Sequence, residues 1–412
     1  MHYNSICVVG LGYIGLPTAA VFADAGLQVH GVDVNQSAVD SINKGKPHFV
    51  EPQLDALLVR VVENGKLIAS TEAAPSDAFI LAVPTPFKDN HQPDLSYVES
   101  AAKTIAPHLK AGDLVILEST SPVGTTEKLT DWLAAERPDL SFPSQKGEHS
   151  DIRVAHCPER VLPGKILDEV VNNARVIGGI TRRCTTAATT LYQMVVKGKC
   201  HFTNARTAEM AKLTENAFRD VNIAFANELS VICDELKINV WELIEMANLH
   251  PRVDILSPGP GVGGHCIAVD PWFIISSSPN HAQLISQARN VNDTKPDWVV
   301  KKIQSKAESL KKPVIACLGL AYKANVDDLR ESPAIEITKK LAELNVGEVL
   351  AVEPHVDELP KELLDRNVKL EDFDIALAKA NVIVLLVNHE TFQYVNREKL
   401  NDKIVLDTCG GW

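Results

Sequence analysis

The chain's 412 residues exceed a single core of roughly 150, so two or three domains are expected, each large enough to fold without disulfide or metal staples. Apolar residues at 45%, charged at 23% and aromatics at only 5% exclude disordered and collagen-like classes and favour α/β layering over a β-sandwich. With 53 acidic against 41 basic side chains the net charge is −12, which argues against nucleic acid and anionic membranes as partners and leaves any phosphate ligand to local dipoles and a few placed cations.

The apolar runs Ser5–Gly10, Gln28–Asp33, Lys66–Ser70, Ala78–Pro84, Leu114–Ser119 and Arg153–Cys157 alternate with helical stretches, which is βαβ logic and implies a parallel sheet. Residues 6–23 are uncharged, but no basic run precedes them and they hold Gly10, Gly12, Gly15 and Pro17, so they read as strand, turn and helix rather than a signal segment. The run Arg175–Gly179 is expected to close this unit. Ala205–Lys237 lacks Gly and Pro, and its apolar spacing gives one helix about 50 Å long, the kind that links domains or forms a subunit interface. A second helix is expected at Val240–Ala247, followed by a Gly/Pro loop from Leu256 to Cys266. Pro271–Ala288 is uncharged but too polar to span a bilayer, and the cytoplasm is the expected location. The α/β pattern then restarts with Pro313–Gly319, Glu348–Glu353, Asn381–Val387 and Lys403–Asp407.

The expected fold class is therefore α/β, with two Rossmann-like parallel-sheet domains (1–185 and 301–412) joined by a helical domain (186–300) with one long central helix. The two α/β halves suggest a distant duplication. Eight cysteines without a C-x-x-C pair fit a reduced compartment and leave no metal centre to expect.

Gly10-Leu-Gly12-Tyr13-Ile14-Gly15 follows the first strand and opens a helix, and Asp33 ends the next strand eighteen residues past Gly15. In that context the glycines let the backbone approach a pyrophosphate, the helix N-terminus stabilises its charge, and Asp33 accepts ribose hydroxyls. Because Asp33 would repel a 2′-phosphate, NAD is favoured over NADP. Val83-Pro84-Thr85-Pro86 and Glu118-Ser119-Thr120 lie past strands, at the edge where open α/β sheets bind ligands, though ordinary capped turns explain them equally well. Glu159 also ends a strand, as a catalytic acid or a surface carboxylate. Lys212 and Asn216, four apart, share one face of the long helix. Gly261-Val-Gly263-Gly-His265-Cys266, with Asp270 after it, could present a thiolate among backbone donors, His265 serving to orient the loop. Cys157 is the competing thiol and reads as packing. The second α/β unit lacks the glycine fingerprint, so Lys323 and Arg330 either hold a second nucleotide's phosphates or a sugar, or form a solvated charge cluster.

In this order, Gly10–Gly15 with Asp33, Ser119-Thr120, Pro158-Glu159, Lys212 with Asn216, the Gly-Gly-His-Cys266 loop with Asp270, and Lys323 with Arg330 resemble the UDP-glucose/GDP-mannose dehydrogenase family over essentially the whole chain. The resemblance implies an N-terminal NAD domain, a helical middle whose long helix forms a homodimer, and a C-terminal UDP domain. It implies NAD contacts at Gly10, Gly12, Tyr13, Ile14, Gly15, Asp33, Pro84, Thr85, Thr120 and Glu159, with Arg330 also counted near the cofactor. It implies Cys266 as nucleophile, Lys212 and Asn216 as oxyanion stabilisers, Glu159 with Asp270 as the proton-handling pair, and Thr120 beside them. Substrate contacts are implied for Glu159, Arg160, Val161, Lys212, Asn216, His250, Gly263, Tyr322, Lys323 and Arg330, with Arg252 reaching a neighbouring subunit's site. Ala217, Val221 or Ala224 are expected to meet the partner.

Gly-His-Cys266-Ile-Ala-Val-Asp270 differs from the Gly-Ser-Cys-Phe-Pro-Lys-Asp loop of UDP-glucose dehydrogenases, and with His250-Pro-Arg252-Val it is most similar to the branch oxidising UDP-N-acetyl-D-mannosamine. That branch makes a uronic acid for bacterial surface polysaccharides such as enterobacterial common antigen. UDP-N-acetylglucosamine or UDP-N-acetylgalactosamine are the competing substrates. A one-step β-hydroxyacid dehydrogenase would have no use for Cys266, and a non-catalytic nucleotide-binding protein would need none of these groups. Cys409 stands where a basic residue is expected in relatives, which puts the edge of the C-terminal site in question.

Overall fold

The computed structural model describes residues 3–412 except 89, 90, 163 and 265. It divides into two compact units, Met1–Glu215 with Trp272–Ser277, and Asn216–Pro271 with Ser278–Trp412.

The first unit is built on β1 (Ser5–Val9), β2 (Gln28–Val32), β3 (Leu67–Ser70), β4 (Ala78–Leu81), a short hairpin of β5 (Phe87–Lys88) and β6 (Gln92–Pro93), β7 (Leu114–Leu117), β8 (Arg153–His156), β9 (Arg175–Gly179) and β10 (Cys200–Asn204). Apart from the hairpin these form one sheet in the order β10-β9-β8-β7-β4-β1-β2-β3. Its central strands β4 and β7 are buried throughout and β1 from Ile6 on, as strands covered on both faces must be. Side chains alternate between two cores. Ile6, Val8, Ile80 and Ile116 pack with Leu16 and Phe22 on one face, and Cys7, Val9, Phe79 and Leu117 with Leu129 and Phe142 on the other.

Two expectations need correction. Arg175–Gly179 does not close the sheet, because β10 pairs outside it; β10 is half exposed and polar, so it lacks the apolar run that marks a buried strand. Nor is the sheet wholly parallel, since β8 and β9 run antiparallel. An apolar run carries no record of its direction.

In the second unit β11 (Val314–Leu318), β12 (Glu348–Val352), β13 (Lys369–Leu370), β14 (Val382–Leu385) and β15 (Ile404–Asp407) form a wholly parallel sheet in the order β13-β12-β11-β14-β15. The long helix spans Ala205–Leu236 and the next Val240–Asn248. A further helix, Gln283–Ala307, has no counterpart in the sequence reading, because Pro296 inside it is a breaker signal. Ala217 and Ala224 are already buried within the chain, so they are not the residues left for a partner. The long helix instead leaves Phe218, Phe225, Ile232 and Leu236 exposed. Among the described residues no helix is long and apolar enough to cross a membrane.

Fully buried His156, on β8, has its pKa pushed by burial down to about 3, the Leu117 backbone opposing weakly. The unfolded chain therefore binds a proton that the folded chain refuses between its ordinary 6.5 and about 3, and stability falls as pH falls through that window. Urea titrations of wild type and His156→Leu across it should show a shallower loss in the variant; equal slopes would remove His156 from the account.

Candidate active site

The first loop of the sheet is shaped for a pyrophosphate. Gly10 sits at φ +91°, and a Cβ there would lie 2.5 Å from the Ala82 carbonyl oxygen, so the strand can turn only through glycine. A Cβ on Gly12, in contrast, would meet nothing within 4 Å, which leaves backbone open to a close ligand. The helix Gly15–Asp24 begins after Ile14 with no side-chain cap and no acid in its first turn, so its dipole is left for an anion. Tyr13 packs on Phe49, ring centroids 4.3 Å apart. Asp33 accepts the Leu11 N–H at Oδ2 and the Asn35 N–H at Oδ1, both 2.9 Å, and remains half-buried, which suits it to ribose hydroxyls.

The loops after β4 and β7 are laced together. Thr85 Oγ1 donates to the Thr120 carbonyl (2.5 Å) and Ser119 Oγ to the Val83 carbonyl (2.7 Å), which places Pro84, Thr85 and Thr120 at one edge. Sequence reasoning missed what holds this edge from behind. Buried Glu209 accepts the Gly124 N–H (2.6 Å), the Thr126 N–H (2.7 Å) and the Thr126 hydroxyl (2.6 Å), capping the helix Thr125–Glu136. An acid 83 residues from the threonine it caps leaves no local signal. Below it, burial pushes the carboxyl of Glu118 up to about 7 despite Arg175 3.5 Å away.

Glu159 and Lys212 form a nearly buried ion pair (2.9 Å), and Glu159 also accepts the Val161 N–H (2.9 Å). Arg160, Val161, Asn173, Lys212 and Glu215 line a cleft of about 410 Å³, across which Arg160 pairs with Glu215 (2.7 Å). The sequence paired Lys212 with Asn216; in the fold each also clasps a carboxylate, Lys212 that of Glu159 and Asn216 that of Asp270.

In the second unit Asn216 Nδ2 donates to Asp270 Oδ2 (2.5 Å), and the Asp270 N–H donates to the Cys266 carbonyl (2.8 Å), so the thiol and the acid stand one turn apart. Gly264 (φ +83°) approaches Tyr322 so closely that a Cβ would lie 2.8 Å from its ring, and Gly263 packs likewise against Glu331 and Pro333. Lys323 is exposed, and Arg330 clasps Asp328 (2.6 Å). His250 and Arg252 lie on an exposed turn that Asn222 and Asn248 pin through the backbone of residues 254–256. His265 lies outside the described residues. Burial pushes the thiol of Cys157 up to about 12, whereas Cys266 is half-buried. Cys409 is a packing residue, its thiol 2.9 Å from the Leu386 carbonyl and pushed by burial up to about 12.

Sequence profiles of a dehydrogenase family match this chain along its length. Its NAD binding domain covers residues 4–196, its central domain 206–294 and its UDP binding domain 316–411. The chain belongs to the UDP-glucose/GDP-mannose dehydrogenase family. It is 61% identical over 412 residues, all of this chain and 97% of the relative, to an NDP-N-acetyl-D-galactosaminuronic acid dehydrogenase of Ralstonia nicotianae. It is 60% identical over 401 residues, 97% of this chain and 98% of the relative, to a UDP-N-acetyl-D-mannosamine dehydrogenase of Campylobacter jejuni. Among solved structures, a UDP-D-ManNAc dehydrogenase of Pyrococcus horikoshii matches with TM-score 0.90 and 40% identity, covering 99% of this chain and 96% of that one. As a member of this family the chain is an NAD-dependent UDP-sugar dehydrogenase.

Because a Cβ on Gly12 meets no protein atom within 4 Å, Gly12→Ala should melt at the wild-type temperature yet bind NAD about tenfold more weakly or worse. Differential scanning fluorimetry and NADH fluorescence titration check the two halves; unchanged affinity would show that no ligand approaches this backbone.

Proposed function

We propose that the chain oxidises UDP-N-acetyl-D-mannosamine to UDP-N-acetyl-D-mannosaminuronate, a primary alcohol to a carboxylate, at the expense of two NAD. The observation that carries it is the turn from Cys266 to Asp270, with Asn216 on the acid: a half-buried thiol one turn from a carboxylate that an amide donor orients. The Campylobacter and Pyrococcus relatives support the mannosamine epimer, and the Ralstonia relative favours the galactosamine one as the second reading.

Gly10, Gly12 and Gly15 with Asp33, and the Thr85–Thr120 edge, fit NAD, which when bound supplies the hydride acceptor for both oxidations. Loss of a hydride and a proton from the C6 alcohol gives an aldehyde. The Cys266 sulfur adds to it, its proton passing to the oxygen, and the thiohemiacetal holds the intermediate in place. Loss of a second hydride and proton gives a thioester, and water cleaves its C–S bond to return the thiol and the acid. In sum the alcohol, water and two NAD yield carboxylate, two NADH and three protons. Lys212 and Asn216 stabilise charge on the C6 oxygen, and Glu159 and Asp270 receive protons and orient water. Arg160, Val161, Gly263, Tyr322, Lys323 and Arg330 hold the UDP-sugar, with His250 and Arg252 serving a neighbouring subunit. This assigns residues 1–185 to NAD, 186–300 to the dimer and the thiol, and 301–412 to UDP.

NADH released per sugar across UDP-N-acetylhexosamines tests the reading, with two expected for the mannosamine epimer; one per sugar would mean a simple alcohol dehydrogenase. Cys266→Ala should lower acid formation about a thousandfold or more while NAD still binds, and Cys157→Ala should stay active. The reverse pattern would move the chemistry to Cys157.

The exposed stripe Phe218, Phe225 and Ile232 supports a homodimer through the long helix. Sedimentation of wild type should give a dimer and of Phe218→Glu/Phe225→Glu a monomer; a monomeric wild type at micromolar concentration would refute it. NAD and nucleotide sugars being cytoplasmic metabolites, the reaction is assigned to the cytoplasm, where it serves surface polysaccharide synthesis.

A further inference from the structure

The second sheet repeats the register of the first. Val9 pairs with Val32 and Leu318 with Val352. The Gly10 N–H donates to the Val32 carbonyl and the Gly319 N–H to the Val352 carbonyl, both 2.8 Å. The next N–H in each case goes to the acid that follows the second strand, Leu11 to Asp33 (2.9 Å) and Leu320 to Glu353 (2.7 Å). Each acid also receives the N–H two residues on, from Asn35 (2.9 Å) and His355 (3.1 Å). Glu353 therefore stands where Asp33 stands.

What else the two acids hold separates them. Glu353 is 4% exposed, and its Oε2 accepts the Ala321 N–H (3.0 Å) and the proton on Nε2 of fully buried His389 (3.1 Å). At Nδ1 His389 accepts the Asn325 N–H (2.9 Å), and the Asn325 Oδ1 accepts the Glu390 N–H (3.0 Å). Accepting at Nδ1 fixes the tautomer and leaves Nε2 protonated towards Glu353. Glu353, His355 and His389 offer atoms within 4.8 Å of one another, as metal ligands would. A metal on Nε2 would drive the proton to Nδ1, against the Asn325 N–H, so the cluster suits a lock and not a cation. Burial pushes the Glu353 carboxyl up, but the bonds from His389, Leu320 and Ala321 outweigh it and hold it below the usual range.

Between these anchors the loop 320–325 carries Tyr322 and Lys323. Tyr322 donates its N–H to the Asp328 carbonyl (3.0 Å), and its ring lies against Gly264, two residues before Cys266. We propose that Glu353 and His389 are positioning residues for the UDP-sugar, fixing the 320–325 loop so that Lys323 meets the diphosphate and Tyr322 supports the Cys266 loop. The proposal rests on the reading of Lys323 and Tyr322 as UDP-sugar contacts.

Calorimetric titration of the full chain with UDP, and separately with NAD, tests it. His389→Ala should weaken UDP about tenfold or more, because the Asn325 N–H and a Glu353 lone pair lose their partner, while NAD affinity stays within about twofold. His389→Gln, whose amide offers one acceptor and one donor, should recover most of the loss, which general destabilisation would not allow. Glu353→Gln, isosteric and so more tolerant in folding, should weaken UDP about threefold or more by setting an NH₂ against N–H donors. Folded variants that bind UDP like wild type would overturn the positioning role alone. A wild-type chain that takes up no UDP would overturn the substrate reading, and the proposal with it.

Discussion

Loops at the carboxyl ends of parallel strands must satisfy backbone N–H groups that no strand pairs, and in this molecule carboxylates do so. Glu51 accepts the Gly164 and Ile166 N–H groups, Glu209 those of Gly124 and Thr126, and Asp407 those of Cys409, Gly410 and Trp412. Asp33 and Glu353 do the same at the two glycine turns. Charge-assisted bonds of this kind are roughly twice as strong as neutral ones, so a few acids fix loops that carry little apolar burial. Part of the net charge of −12 is thus structural, spent inside the fold and not on the surface.

The buried ion pair of Lys212 and Glu159 follows a different logic. Side chains 8% and 11% exposed have lost most of their water, and such pairs often contribute no more stability than apolar residues of the same size. Removing one partner leaves a buried charge, at a cost of about 3–5 kcal/mol. Such a pair is in keeping with the roles proposed for Lys212 and Glu159. Glu159 is in addition held by the Val161 N–H, so its carboxylate is oriented before any ligand arrives.

Most of the fold was legible because its central strands are uniformly apolar runs with helices between them. Ser5–Val9, Leu114–Leu117 and Val314–Leu318 fall within one or two residues of expectation. The misses share a cause: β10 is a half-exposed edge, β13 has only two residues, and the helix Gln283–Ala307 contains a proline. Of the candidate residues, Gly10, Gly12, Asp33, Glu159, Lys212, Asn216, Cys266 and Asp270 could be singled out because each sits in a short motif, at a strand end or four apart on one helix face. Glu209 and His389 sit in no such place, and Glu353, though at a strand end like Asp33, follows a strand that no glycine fingerprint precedes. Their roles come from contacts across 32 to 85 residues of sequence, and a lone buried acid or histidine carries no pattern.

The comparison of Asp33 with Glu353 shows how one register supports two uses. In both units the acid follows the second strand and receives the N–H after the turn glycine. The aspartate, one methylene shorter, stops beside the loop and stays half-exposed. The glutamate reaches two consecutive N–H groups, at Leu320 and Ala321, and a histidine from the far side closes over it. Its lone pairs are then directed at protein donors, which leaves the carboxylate badly placed for a ribose. The second sheet consequently lacks the half-exposed carboxylate that suits the first to a ribose, and on the reading proposed above its ligand contacts come from side chains of the loop that the acid holds.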